Sequence, residues 1–136
     1  GNLGTVMRTA DAVGAAGIIL VGDCTDPYSV EAVRASMGAV FNVKIIACSE
    51  AEFISFSAAW IGRVIGMVLP AAMDYRQADY GGSLIMLMGN EQAGLTAPLI
   101  DMCDQLIKIP MQGRSDSLNL AVATGVVLYT AFDRRG

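Results

Sequence analysis

The sequence predicts an α/β fold, a mostly parallel sheet with helices on both faces, and three observations carry that reading. Short apolar runs of strand type alternate with segments of helical period. Hydrophobic residues make up 54% of the chain and charged residues 16%, which suits a sheet buried on both sides. Turn signals close almost every run. At 136 residues the chain is long enough for one domain with a single core and short for two.

The first element is a helix over residues 3–13, because Leu3, Val6, Met7, Ala10 and Val13 recur at helical spacing, with Asn2 as N-cap and Gly14 as a left-handed stop. Residues 17–22 then read as a short buried strand ending in the turn-rich Asp23-Cys24-Thr25-Asp26-Pro27. A helix over 29–36, a strand over 43–48 and a helix from Ser49, whose partner Glu52 completes a capping box, continue the alternation. The next strand covers 64–69, a polar connection 74–82, and a β-like run 83–88. Thr96 can cap a short helix with Pro98 in its first turn. A brief strand over 106–109 and a long apolar helix over 118–132 complete the chain.

Composition excludes several classes. The longest apolar stretch, 64–73, is half the ~20 residues a membrane span needs. Cys24, Cys48 and Cys103 are odd in number and widely spaced, so neither a disulfide framework nor a zinc site is indicated, and a reducing cytoplasm is the expected location. No His is present, which rules out Ser-His-Asp and Cys-His chemistry and imidazole metal sites. The chain opens Gly1-Asn2-Leu3 without an initiator Met or a leading strand and reads as a piece of something longer. Net charge is −4 and the nine basic residues are scattered singly except Arg134-Arg135, so charge alone argues against a nucleic-acid partner.

Three signatures in the last third carry the functional signal: Leu87-Met88-Gly89-Asn90-Glu91, Ile109-Pro110-Met111 and Ser117-Leu118-Asn119. Each joins an apolar run to a polar turn, so their loops would gather at one edge of a sheet, where open α/β folds place ligands. Residues 89–96 fit the glycine spacing of a P-loop, but Leu95 stands where the obligatory Lys belongs, and the NTPase reading fails. Two glycines serving a tight turn is the plainer account. Ser115, Asp116 and Ser117, which precede Asn119 on a loop entering the final helix, can likewise be read as N-caps and turn formers. Arg8 falls one residue after Met7, beside the apolar stripe of the first helix, as a solvated side chain or as a cation aimed at a cleft.

At these residues the chain resembles the SpoU/TrmH family of RNA 2′-O-ribose methyltransferases, within the SPOUT class. Asn2-Leu3-Gly4-Thr5 with Arg8-Thr9-Ala10 is similar to the family's first motif, Gly89-Asn90-Glu91 with Gly94-Leu95 to its second, and the last two signatures to its third. Asp26-Pro27-Tyr28-Ser29 and the 34–39 segment resemble a stretch common in bacterial members. The resemblance implies a C-terminal trefoil knot and a homodimer formed through it. It implies S-adenosylmethionine held largely by backbone groups beside Leu87, Met88, Gly89, Ile109, Met111 and Leu118. It also implies Arg8 acting at a ribose 2′-hydroxyl of ribosomal or transfer RNA, with Asn2, Glu91, Ser117 and Asn119 positioning ribose, phosphate and Arg8. The alternative is a non-catalytic RNA-binding scaffold that keeps the knotted fold, against which the intact Arg8, Glu91, Ser117 and Asn119 speak.

Overall fold

The computed structural model describes residues 2–22, 44–68, 73–89, 94–112 and 119–135. The expected helix over 29–36, together with Glu91, Ser117 and Leu118, lies outside the described residues. The chain forms two compact units, Gly1–Phe53 and Ile54–Gly136.

In the first unit, helix α1 (Asn2–Ala12) precedes strands β1 (Gly17–Val21) and β2 (Lys44–Cys48), which pair in parallel from Gly17↔Lys44 to Val21↔Cys48. Met7 and Ala10, at 0% and 3% exposure, form the buried stripe of α1. Asn2 is the first residue of the helix itself, one position inside the expected cap. The helix stops at Gly14 (φ +71°), where Ala15 N–H reaches the Ala10 carbonyl and Gly14 N–H that of Asp11, a Schellman closure. Helix α2 (Glu50–Ala58) opens on the expected capping box: Glu52 N–H donates to Ser49 Oγ at 3.1 Å, and Ser49 N–H to Glu52 Oε1 at 2.9 Å. These bonds to Ser49 also hold the Glu52 carboxyl below its ordinary range.

The second unit is built on a four-stranded parallel sheet in the order β4 (Met73–Asp74), β6 (Gln105–Lys108), β3 (Arg63–Met67), β5 (Leu84–Met88). Among the described residues the strands thus form two parallel sheets where the alternation had suggested one. The polar connection begins with the two-residue β4 and a 3₁₀ turn, Tyr75–Gln77, capped by Asp74. β6 is shifted one residue from expectation because Asp104 ties down its start, accepting Val64 N–H at 2.7 Å while its own N–H reaches the Val64 carbonyl at 2.8 Å. Helix α3 (Ala97–Asp101) has Thr96 at its N-cap and Pro98 in its first turn, and helix α4 (Leu120–Arg135) closes the chain.

Both faces of β3 are covered, as a parallel sheet requires. On one side Ile65, Ile107, Val127 and Ala131 form the core with Tyr80 and Ala78. On the other, the missing side chain of Gly66 admits Cys103 Sγ, which would lie 2.6 Å from a Cβ there, with Leu95 beside it. Burial, followed by the nearby Asp104 charge, pushes the Cys103 thiol up to about 11 from 9.0. The protonated thiol therefore favours the folded state, and that contribution is complete below pH 9 and lost as pH rises towards 11. Urea unfolding at stepped pH should show a fall in midpoint across this window that is smaller in Cys103→Ala, the buried Tyr80 hydroxyl, also pushed up by desolvation, supplying the part that remains.

Candidate active site

The order β6-β3-β5 creates the site's geometry. The chain leaves β5 on one flank of β3 and returns as β6 on the other, so both strands end beside the carboxyl end of β3. With neighbouring strands about 4.8 Å apart, β5 and β6 are separated by roughly 10 Å. Leu87, Met88 and Gly89 stand at one side of this gap, and Ile109 and Met111 follow β6 on the other. Leu87-Met88-Gly89 and Ile109-Pro110-Met111 are thereby brought to one end of one sheet.

Leu87 is buried at 7% exposure, so it can offer a ligand its main chain and not its side chain. Met88, Gly89, Ile109 and Met111 are partly exposed, and Met88 and Ile109 also pack against the core beneath α4. Gly89 has no room for a side chain: a Cβ would strike the backbone of Gly94 and come within 2.6 Å of the Leu95 nitrogen. Gly94 adopts φ +67° to bring its backbone there. The two glycines with P-loop spacing thus meet at close range, which the missing side chain of Gly89 and the left-handed backbone of Gly94 permit. Leu95 then reaches over Gly66.

Asn119 caps α4, its Oδ1 accepting Ala121 N–H at 2.9 Å and Val122 N–H at 3.4 Å. The cap uses the carbonyl half of the amide and leaves the role of the NH₂ half to be tested. Asn119→Asp keeps an acceptor for the helix, whereas Asn119→Ala removes it and should cost about 1 kcal/mol of stability. If the NH₂ group also serves the substrate, the Asp variant stays within about 0.5 kcal/mol of the parent yet loses turnover, which thermal unfolding and initial rates would separate. Arg8 is exposed on α1, one residue past the fully buried Met7, and stands with Asn2 in the first unit, while the other described candidates stand in the second.

The fold defines a class: a parallel α/β protein in which partly exposed apolar residues and Gly89 gather where β5 and β6 end. Residues 1–129 match the SpoU rRNA methylase family, and the chain belongs to that family. It is 34% identical over 138 residues to the 23S rRNA (guanosine-2′-O-)-methyltransferase RlmB of Vibrio vulnificus, covering 98% of this chain and 55% of that protein. It is 33% identical over 141 residues to the 23S rRNA (uridine(2479)-2′-O)-methyltransferase of Streptomyces viridochromogenes, covering 99% of this chain and 49% of that one. The structure superposes with a TM-score of 0.95 on an AdoMet-bound rRNA methyltransferase from Sinorhizobium meliloti, at 49% identity over 98% of this chain and 51% of the other. The chain spans about half the length of these relatives.

Proposed function

We propose that this chain is the catalytic part of an S-adenosylmethionine-dependent RNA methyltransferase that modifies a ribose 2′-hydroxyl in ribosomal or transfer RNA in the cytoplasm. One observation carries the reading: in a SpoU-family chain, the two described segments assigned to the methyl donor emerge at the same end of one sheet, on either side of β3. The residues fit the donor. Adenosine needs an apolar slot with fixed main-chain donors and acceptors, and partly exposed Met88, Ile109 and Met111 beside Gly89 are of that kind. These residues carry no charge that would repel a sulfonium. When bound, S-adenosylmethionine supplies a methyl group on a sulfonium sulfur. Transfer breaks the S–CH₃ bond, forms an O–CH₃ bond to the ribose oxygen and releases the hydroxyl proton.

The protein's work is to align that oxygen and to ease loss of its proton. Arg8 holds the neighbouring phosphate and offsets the developing alkoxide charge, with the proton passing to phosphate or water, since a guanidinium stays protonated in proteins. Asn2, Glu91, Ser117 and Asn119 position ribose, phosphate and Arg8. Family membership further supports a C-terminal trefoil knot and a homodimer through the knotted region, with Leu118 and, on the final helix, Val122, Val126 and Leu128 contributing to the interface. Val122 is 53% exposed, which suits that role. Calorimetry with S-adenosylmethionine, followed by mass-spectrometric mapping of ribose methylation in treated RNA, tests the activity. Cofactor binding without methyl transfer to any RNA would favour the scaffold instead.

A further inference from the structure

The nine basic residues are dispersed in sequence, yet the fold gathers five of them around the 74–82 segment. Arg134 Nη2 donates to the Arg76 carbonyl at 2.8 Å, and Arg135 Nη1 donates to the Tyr80 and Gly82 carbonyls at 3.2 and 2.6 Å. Arg63 pairs with Asp79 at 2.8 Å, and Lys108 lies opposite Asp74 in the β4–β6 register. Between this segment and the last turns of α4 runs an open groove of about 490 Å³, lined by Tyr75, Arg76, Tyr129, Thr130, Asp133 and Arg134.

The lining combines anchored cations with aromatic surfaces. Asp74 grips Arg76 through Nε at 2.9 Å and Nη2 at 2.6 Å, which fixes the guanidinium plane and uses two of its five N–H donors. The Arg76 and Arg134 guanidinium carbons stand 5.6 and 5.7 Å from the Tyr75 and Tyr80 rings. Tyr129 is half exposed and meets Phe132 edge-on. We propose that this groove is a further contact for single-stranded RNA outside the candidate active site, taking a backbone phosphate on Arg76 and Arg134 and a base against Tyr129. The proposal rests on the RNA-methylating reading above. The five cations here outnumber the neighbouring Asp74, Asp79 and Asp133, so a phosphate backbone meets less repulsion at this segment than the net charge of −4 implies. Pre-fixed guanidinium forks and open aromatic faces suit phosphate and base more than an apolar protein partner. Asp133 is the one lining carboxylate, and it opposes phosphate binding.

The test is an anisotropy titration of labelled single-stranded oligouridylate onto the full chain, with S-adenosylmethionine affinity and sedimentation measured on the same samples. Arg134→Glu should weaken RNA binding about tenfold or more and flatten its salt dependence, Tyr129→Ala should weaken it about fivefold, and Asp133→Asn should tighten it about twofold. Cofactor affinity and sedimentation should not move. If Arg134→Glu fails to fold, the other two variants carry the test. Parental RNA affinity in all folded variants overturns the groove while leaving the RNA-methylating reading intact. A change in sedimentation at constant RNA affinity overturns it too, assigning the groove to a protein partner. Failure of the parent chain to bind RNA at low salt would instead count against the functional reading itself.

Discussion

Gly89→Ala is expected to reduce S-adenosylmethionine affinity at least a hundredfold while leaving the core folded. The added methyl would meet the Gly94 backbone and the Leu95 nitrogen, at 2.6 Å from the latter. Main chain cannot rotate away as a side-chain tip can, so the 89–95 loop must open. Gly94 is already committed to a left-handed conformation at φ +67° and offers no relief, and moving Leu95 would uncover the space above Gly66. The main-chain groups beside Met88 and Gly89 are those proposed to hold the donor, and a displacement of about 1 Å at such groups can cost on the order of a hundredfold. The core residues Ile65, Ile107 and Val127 lie at 0% exposure, and Gly89 itself contributes nothing to their cluster, though Met88 packs against it. Gly125→Ala is the matched control. A Cβ there meets open space within helix α4, so stability should rise by about 0.5–1 kcal/mol with affinity unchanged. Parental affinity in Gly89→Ala, measured by calorimetry, would remove the glycine crossing from the account of the pocket.

That crossing also marks the boundary of what the sequence reveals. The capping box of Ser49 and Glu52 and the stop at Gly14 were legible because each is completed within five residues of chain. The spacing of Gly89 and Gly94 was visible, but its meaning was not. A P-loop and a close backbone crossing need the same residue type for different reasons, and only the fold says which applies. β4 is two residues long, too short for a period-two pattern, and it exists because β6 offers it an edge. The arginine cluster was hidden for a related reason. Arg63, Arg76 and Arg134 are far apart in sequence, and it takes the sheet order and the return of α4 to bring them to one segment. Asn119 was legible only as part of a motif, because it stood inside the expected 118–132 helix, and its capping of α4 emerges once the helix is seen to begin at Leu120.

Arg8→Ala is expected to lower the rate constant for methyl transfer by about a hundred- to a thousandfold, the usual range for deleting a group that stabilises charge in the transition state. Arg8 is exposed on a helix held by Met7 and Ala10, at 0% and 3% exposure, so unfolding should be nearly unchanged and the loss cannot be charged to stability. The methyl donor is assigned to the ends of β5 and β6, so its affinity should be unchanged as well. Arg8→Lys separates two forms of the mechanism. Lysine keeps the positive charge but presents a point charge in place of a planar fork, and at a bidentate phosphate site the exchange is not conservative. If the fork orients the phosphate beside the reacting ribose, Arg8→Lys should recover less than about a tenth of the parental rate, with the loss in kcat under saturating RNA. Near-parental turnover in the lysine variant would show that charge alone suffices, and the planar-fork role would have to be abandoned.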